Sequence, residues 1–309
     1  WNHGGGWEPS EMDRIAQRVG ARSYSVREAG ERSASPAGKL FFRTSLETIF
    51  KLRNPKQRAI CSDDGSGHSL DTVELGKVLA QVYKILGKPL DILGMDACLM
   101  SNLEVACQAR RYAQYIVASE ESEPGEGWPY DQVLKKLVDS PKLATADFAS
   151  HIVRTYIKSY KDRNYKGAVT QTAIDLAKMN LLTDPLDQLA ESLLKAMPRV
   201  STSIWNAQRK AARFWHNTLW DIAQFCEELE KEKINKQITE AAKRVQAALQ
   251  PGDGGFVLAE SHAGPGVERC GGISIYLLPP LSDLSPYYKD LKFAKDHRWL
   301  EMLKAYHSN

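Results

Sequence analysis

The sequence lacks the marks of several common protein classes. Its 309 residues include five cysteines with no C-x-x-C or similarly spaced pair, so neither a zinc cage nor a disulfide framework is indicated. No apolar run approaches the roughly 18 residues that a membrane span needs, and no internal repeat is visible. With 43% hydrophobic residues, the chain can form one large globular domain or two smaller ones.

A surplus of charge of one sign is also absent. Lys and Arg number 41 against 38 Asp and Glu, and the two signs are interleaved along the chain. Nucleic-acid binding calls for a clustered basic face, so we expect no nucleic-acid partner. We also expect no membrane partner, and a monomer.

Apolar patterns along the chain predict an α/β fold. Strands are predicted at 89–95, 115–119, 167–176, 254–261 and 271–279. Helices are predicted at 69–86, 102–111, 130–139, 147–161 and 293–306. Such alternation favours a mostly parallel sheet flanked by helices on both faces. The first helix carries its own start signal, because Asp71 can cap it and Glu74 follows three residues later.

Three regions follow from this pattern. Residues 1–180 form the predicted core, in which 8–60 is a long loop rich in Arg, Ser, Gly and Glu. Residues 181–250 are helical almost throughout, with breaks near Pro185, Pro198 and Pro251, and form a predicted helical subdomain. Residues 251–309 supply C-terminal strands and a helix that pack on the core. The strand expected before Trp1 is absent, so we expect a preceding segment.

Cys98 follows the predicted strand 89–95 directly and precedes a helix. Reactive groups of open parallel sheets collect where strands end, and a helix N-terminus lowers the pKa of a nearby thiol. The same position also suits a small cysteine in the core. Cys107, Cys226 and Cys270 have no comparable turn, so we interpret them as core residues.

His3 lies in WNHGGGW, where three glycines leave its imidazole uncovered. Alone it could equally be a metal ligand or a surface residue, although the other histidines are scattered. Together with Cys98 it suggests a Cys/His pair, in which imidazole assists a thiolate that attacks a carbonyl carbon. The order His before Cys, with Ala before the cysteine, is closer to the caspase pattern than to papain.

Several sequence blocks then give a specific resemblance. WNHGGGW, GMDACLMSNLEVA, ASEESEPGEGWPY, AIDLAKM, GGISIYLLP and FAKDHRWLEMLKAY resemble, in order, the signatures of the clostripain family of cysteine peptidases, also called peptidase family C11. The resemblance implies a caspase-like fold, cleavage after Arg or Lys, and a catalytic dyad of His3 and Cys98. It also suggests a bacterial protein that is secreted or periplasmic.

The resemblance and the residue chemistry together name a site. Asp96 matches the acidic position expected to bind the basic P1 side chain, the residue after which the chain is cut; a local turn role is the alternative. Backbone N–H groups of Cys98 and Gly4 are expected to bind the oxyanion. Glu120 and Glu123 are candidates for substrate binding, or part of a solvated acidic loop.

Activation and metal binding complete the expectations. Family members are activated by cleavage between the His and Cys segments, so we expect self-processing in 8–60, which carries many Arg and Lys. No cofactor is required. Calcium is optional, because the family's namesake depends on it, although Asp63 and Asp64 do not make an EF-hand loop.

Two alternatives remain open at this point. One is a peptidase of the same fold with acidic or Asn preference, which peptides with different P1 residues would separate. The other is a non-catalytic binding protein that kept the scaffold, for which 181–250 would serve a partner. A thiol-reactive probe with a basic P1 group would not label such a protein at Cys98.

Overall fold

The computed structural model describes residues 60–63, 68–214 and 218–308, with side chains from 70 onward. The strands in these residues are β1 (Ile60–Asp63), β2 (His68–Leu70), β3 (Leu90–Gly94), β4 (Ala113–Ala118), β5 (Val169–Asp175), β6 (Arg213–Phe214), β7 (Leu219–Asp221), β8 (Val257–Ala263) and β9 (Ser274–Tyr276). The α-helices are α1 (Thr72–Leu86), α2 (Leu103–Ala109), α3 (Tyr130–Asp139), α4 (Thr145–Asp162), α5 (Asn180–Ala196), α6 (Ser201–Gln208), α7 (Ile222–Lys231), α8 (Lys236–Ala248), α9 (Lys292–Asp296) and α10 (Trp299–His307).

A mixed four-stranded sheet forms the centre, in the order β3–β4–β5–β8. The α/β class with helix-flanked strands is confirmed. However, β3 and β4 are parallel, whereas β5 runs antiparallel to both β4 and β8. The prediction of a mostly parallel sheet is therefore wrong in detail for the described strands. A single helix between two strands returns the chain to the starting edge of the sheet, so the second strand runs parallel to the first. Here two helices, α3 and α4, lie between β4 and β5, and β5 enters from the opposite edge.

Both faces of this sheet are covered. Ile116 of β4 belongs to the larger hydrophobic cluster, while its neighbour Val117 packs with Tyr156 of α4 in a second cluster. This alternation is the two-residue period of a strand. The same period separates Ile174 from Ala173 on β5. Side chains that follow the strands are consequently directed to one or the other face of the sheet.

The start of α1 agrees with the sequence prediction. The Asp71 carboxylate accepts the backbone N–H of Glu74 at 2.6 Å, and Glu74 accepts the N–H of Asp71 at 3.1 Å. This reciprocal capping box satisfies two N–H groups that the helix cannot pair itself. The helix ends at Gly87, whose φ of 68° lies in the left-handed region.

The region 181–250 contains more than helices. Strands β6 and β7 form a hairpin that joins β9 in a three-stranded antiparallel sheet, which the helical prediction missed. Helix α5 also continues through Pro185 instead of breaking there. Its buried leucines pack in the larger cluster together with residues of α2 and α10. The boundaries of the three regions stay a prediction.

Most element positions were predictable. The described elements from α1 to α4 lie within three residues of the predicted bounds, and β8 falls close to the strand predicted at 254–261. The single C-terminal helix predicted at 293–306 divides into α9 and α10. Each helix in the described part of the chain is too short or too polar to cross a bilayer.

Candidate active site

Cys98 lies in a tightly fixed turn between β3 and α2. The next residue, Leu99, has a φ of 64°, a left-handed conformation that is uncommon for a residue other than glycine. Its N–H donates to the Glu121 carbonyl at 3.2 Å, and its own carbonyl accepts the side-chain amide of Asn102 at 2.8 Å. Asn102 also caps α2 by accepting the N–H of Val105. These bonds offset the backbone strain and hold the turn open at Cys98.

The Cys98 sulfur is nearly covered, with 7% of the residue exposed. The backbone N–H of Glu123 donates to Sγ at 3.3 Å, and the thiol faces the carbonyl of the same residue at 3.9 Å. Burial, the largest influence, raises the pKa of the Cys98 thiol. This direction is opposite to the lowering expected from a helix N-terminus. Helix α2 begins only at Leu103, more than one helical turn along the chain from Cys98.

Asp96 and Glu123 form a buried acidic pair beside this sulfur, 5% and 4% exposed. Asp96 Oδ2 accepts the backbone N–H of Trp128 at 3.1 Å and the Tyr130 hydroxyl at 2.9 Å. The indole N–H of Trp128 donates to the Glu123 carboxyl at 3.1 Å. Burial, followed by hydrogen bonding and repulsion from Asp96, raises the pKa of Glu123 well above its usual range.

Polar oxygens without partners surround this pair. We call the group formed by Asp96, Glu123, Trp128, Tyr156 and Gln171 the acid pocket. Among the described residues, no donor group other than a proton shared between Asp96 and Glu123 reaches three of its buried oxygens: Asp96 Oδ1, Gln171 Oε1 and the Tyr156 hydroxyl. The side-chain N–H of Gln171 (Nε2) donates to the Glu123 carboxyl oxygen Oε1 at 3.5 Å. Such atoms are costly to bury unpaired, so the pocket is suited to a ligand that brings several N–H donors.

The predicted histidine and one predicted oxyanion donor, His3 and Gly4, lie outside the described residues. Each histidine with a described side chain has its neighbours elsewhere: His151 beside Thr155, His262 beside Glu260, His297 beside Asp187, and His307 beside the backbone of Leu278 and Ser282. No described histidine therefore contacts the Cys98 sulfur. The amide of Cys98, the other predicted oxyanion donor, takes no part in the backbone hydrogen bonds of the described residues.

Comparison with known families settles the relationship. Residues 48–306 match the sequence profile of Peptidase_C11, the clostripain family. The chain belongs to the clostripain family. It is therefore a cysteine-type peptidase by family. Comparison with curated protein sequences gave no match.

Several solved structures of C11 proteases share the fold of this clostripain-family chain. An inactive zymogen C11 protease from Parabacteroides distasonis is 18% identical with a TM-score of 0.57, over 96% of this chain and 68% of that one. A secreted C11 cysteine protease from Bacteroides thetaiotaomicron, "iotapain", is 14% identical with a TM-score of 0.54, over 96% and 70%. A clostripain from the same species, in complex with the peptide inhibitor BTN-VLTK-AOMK, is 13% identical with a TM-score of 0.51, over 76% and 97%.

Glu120 and Glu123, predicted together in this clostripain-family site, point to different places. Glu123 faces Cys98, whereas Glu120 is fully buried beside Asp221 and Cys270. A substrate-binding role for Glu120 stays a prediction, and none of its described contacts supports it. The sequence prediction also missed Trp128, Tyr130, Tyr156 and Gln171. Of these, only Trp128 and Tyr130 stood in a quoted block, EPGEGWPY, and no signal in the sequence joins the other two to Cys98.

Calcium does not fit the described residues. The only group of metal-ligating side chains found among them is Glu120, Asp221 and Cys270. Calcium takes six to eight oxygen ligands, and this group offers a sulfur and two carboxylates. A calcium requirement therefore stays a prediction from the resemblance, and no step of the proposed chemistry depends on it.

Proposed function

We propose that the chain is an endopeptidase that cleaves after Arg or Lys, with Cys98 as nucleophile and His3 as its acid–base partner. The observation that carries the proposal is the acid pocket beside the Cys98 sulfur. The Asp96 carboxylate, together with the buried oxygens of Gln171 and Tyr156, favours a cationic side chain with N–H groups. An apolar side chain there would leave the same oxygens desolvated and unpaired.

The proposed chemistry follows from the roles assigned to His3, Gly4 and Cys98. With substrate bound, the imidazole of His3 takes the proton of the Cys98 thiol, and the sulfur forms a bond to the scissile carbonyl carbon. The negative charge that develops on the carbonyl oxygen is met by the N–H groups of Cys98 and Gly4. His3 then gives its proton to the leaving amine as the C–N bond breaks. Water, deprotonated by the same imidazole, then attacks the thioester carbonyl carbon; the C–S bond breaks, the acid product leaves, and the proton on His3 returns to the Cys98 sulfur.

The raised pKa of the thiol makes the imidazole indispensable in this scheme. A buried thiol with a raised pKa is almost wholly protonated near neutral pH, so the thiolate must form as an ion pair with imidazolium. A substrate that places its cation in the acid pocket also neutralises the negative charge beside the sulfur. Substrate binding thus favours the thiolate, and this couples specificity to reactivity.

The choice between Arg and Lys depends on the number of acceptors. A guanidinium brings five N–H donors in a planar fork and an ammonium brings three. Asp96 Oδ1, Gln171 Oε1 and the Tyr156 hydroxyl belong to three different segments of the chain, and the wide fork of a guanidinium can span separated acceptors better than a compact ammonium. We propose that Arg is preferred and Lys accepted. The inhibitor bound by the Bacteroides clostripain carries the peptide VLTK, which ends in lysine.

Self-processing in 8–60 and a secreted or periplasmic location are part of the same proposal. One similar structure is a zymogen and another a secreted protease. Incubation of the purified chain and its Cys98→Ala variant tests the first point. Cleavage within 8–60 in the native chain alone is expected, and equal fragmentation of both proteins would contradict self-processing.

A panel of fluorogenic peptides that differ only at P1 tests the main proposal. We expect cleavage in the order Arg, Lys, and then Asp and Asn at background. Cleavage after Asp or Asn would identify the alternative specificity instead. A thiol-reactive probe with a basic P1 group should label Cys98 in the native chain, and an unlabelled protein would indicate a non-catalytic binding module.

The histidine assignment is tested by three matched variants. His3, His68 and His216 are the histidines whose side chains lie outside the described residues, so any of them could approach Cys98. We expect His3→Ala to lose about 10³-fold or more in kcat/KM, the effect of losing a general base. His68→Ala and His216→Ala should retain activity within a few-fold. If only His68→Ala or only His216→Ala lost activity, that histidine would take the place of His3 as the acid–base partner.

A further inference from the structure

A second buried group of reactive side chains lies away from Cys98. We call Glu120, Asp221 and Cys270 the thiol cluster. Their ligand atoms all lie within 4.8 Å of one another, and each of the three side chains is buried. Glu120 follows β4, Asp221 ends β7, and Cys270 precedes β9. The cluster thus joins the central sheet to the three-stranded sheet.

The thiol cluster has no described positive charge to balance it. Among the described residues no lysine or arginine forms an ion pair with any of its members, and the nearby acid Glu260 is paired with His262 at 2.7 Å. Asp221 is anchored as the cap of α7, accepting the N–H of Gln224 at 2.6 Å, and it also accepts the N–H of Gly271 at 2.7 Å. Two adjacent buried carboxyl groups in this position call for a proton or a cation.

Unpartnered polar atoms point into the same space. Glu120 is 0% exposed and neither carboxyl oxygen has a hydrogen bond of normal geometry, although Asp221 and the amide of Gly272 lie beside it. The hydroxyl of Thr172, also 0% exposed, has no described partner and lies against Gly272. A Cβ at Gly272 would fall 2.4 Å from that hydroxyl. Glycine at this point therefore lets the chain approach the group closely.

The donor set indicates the class of ion. Calcium and magnesium prefer all-oxygen shells, whereas one thiolate with two carboxylates suits a borderline ion. Zinc bonds to sulfur at about 2.3 Å and to carboxylate oxygen at about 2.0–2.2 Å. Structural zinc has four protein ligands, and the Thr172 hydroxyl, unpartnered among the described residues, is the candidate for the fourth. We propose that Glu120, Asp221 and Cys270 form a structural Zn²⁺ site that ties the central sheet to the three-stranded sheet.

The site adjoins the segment that holds the nucleophile. Glu121, next to Glu120, accepts the N–H of Leu99, and Glu123 donates its N–H to the Cys98 sulfur. The Ser101 hydroxyl on the nucleophile turn donates to the Gly272 carbonyl at 2.6 Å. A bound ion would therefore stiffen both the segment 119–123 and the turn. Its effect is to stabilise the fold, with no part in bond cleavage.

Zinc retention by the full chain tests the proposal. The Cys98→Ala background removes the nucleophilic thiol, which could itself bind zinc, and prevents self-cleavage. After zinc loading and dialysis, elemental analysis should find close to one ion per chain. Glu120→Gln and Cys270→Ala should each weaken binding at least about tenfold, as loss of a ligating or supporting group does. The controls Glu104→Gln and Cys107→Ala, a buried carboxyl and a buried thiol outside the cluster, should retain the ion.

Cobalt substitution gives a second readout independent of activity. The Co²⁺ form should show a thiolate charge-transfer band that Cys270→Ala abolishes and Cys107→Ala leaves in place. If Cys270→Ala does not fold, as judged by the absence of a cooperative melting transition, the zinc retained by Glu120→Gln and Asp221→Asn tests the proposal instead. No retained zinc in the background chain, or equal retention in cluster and control variants, would overturn the proposal and leave a proton shared between Glu120 and Asp221.

Discussion

The acid pocket and the thiol cluster each contain one glutamate of the same short segment, Glu123 and Glu120, yet they lie on opposite faces of the central sheet. Glu123 meets Gln171 of β5, while the backbone of Glu120 meets Thr170, which points the other way. The carboxylates in the pocket are 5% and 4% exposed, and those in the cluster are 0% exposed. Buried carboxyl groups are therefore common to both, and what separates them is the neighbour: the pocket adjoins the Cys98 sulfur, whereas the cluster contains a thiol of its own. Under the proposed function the pocket would bind the cation of each substrate in turn, and under the zinc proposal the cluster would hold one ion permanently.

The largest expected difference between the two regions is in substrate turnover. Asp96→Asn keeps the shape of the side chain and removes its charge beside Cys98. We expect kcat/KM for an Arg substrate to fall by roughly 30-fold to several thousand-fold, the effect of removing one partner of a buried charge pair. Asp91→Asn, on the exposed side of β3, should change it little. Steady-state kinetics with P1 Arg peptides measures both, and equal rates would remove Asp96 from specificity.

Asp221→Ala should instead affect stability. Its carboxylate accepts two backbone N–H groups, one at the start of α7 and one at Gly271. Loss of a helix cap and a buried acceptor is expected to lower the free energy of unfolding by about 2–4 kcal/mol. The ratio of Arg to Lys cleavage in the folded variant should stay at the native value. Urea unfolding and peptide kinetics check the two halves, and a changed ratio would contradict the division between the regions.

Glu104 supplies a third buried carboxyl for comparison, one with a tyrosine donor. Burial, the largest influence, raises its pKa to about 7, while the Tyr288 hydroxyl at 2.8 Å lowers it. Because the folded pKa exceeds the unfolded one, the folded state binds more protons between the usual value of 4.5 and about 7. This contribution to stability is full below pH 4.5 and is lost as pH rises through about 7.

Glu104→Gln should remove that part of the pH dependence. The amide keeps an acceptor for Tyr288 and cannot ionise. The free energy of unfolding of the native chain relative to the variant should fall by on the order of 3 kcal/mol between pH 4.5 and pH 8. Urea unfolding across this range measures it. Parallel curves for the two proteins would show that Glu104 does not carry this proton.

A smaller effect is expected from Glu123→Gln. Burial and the neighbouring Asp96 raise the pKa of Glu123 and so favour its uncharged form, which the amide of glutamine resembles. The indole N–H of Trp128 can still donate to the amide oxygen, and we expect kcat/KM for Arg substrates to change less than about tenfold. A loss as large as that of Asp96→Asn would mean that both carboxyl groups bind substrate as anions.

The smallest expected change comes from Tyr156→Phe. The free protein has no described partner for this hydroxyl, so its removal should leave the unfolding free energy within about 1 kcal/mol of native, or raise it slightly. In the complex the hydroxyl can accept an N–H from guanidinium. The Arg-to-Lys ratio of kcat/KM is therefore expected to fall a few-fold. An unchanged ratio would exclude this hydroxyl from P1 recognition.

Local signals predicted the elements well. The capping box at Asp71, the strand before Cys98 and the helices from 130 to 162 appear close to their predicted places because periodicity and caps are local properties. Strand direction was not predictable in the same way. The number of helices between β4 and β5 was read correctly, but its consequence for direction depends on how they pack.

The site was predictable only in part. Asp96 and Cys98 are neighbours in sequence, so a motif could place them together. Burial of Cys98, which sets the direction of its pKa shift, depends on the segment 119–123 folding over it. The thiol cluster joins residues from three distant segments, so the absence of spaced cysteine pairs gave no indication of it.

Strand β5 separates the acid pocket from the thiol cluster, because its side chains alternate between the two faces of the sheet. Thr170 and Thr172 serve one side and Gln171 the other, between two antiparallel partners. Displacement of this strand by one residue along its neighbours would exchange the two linings at once. An insertion anywhere in the seven residues of β5 would therefore disturb both the lining of the acid pocket and the contact between the two sheets.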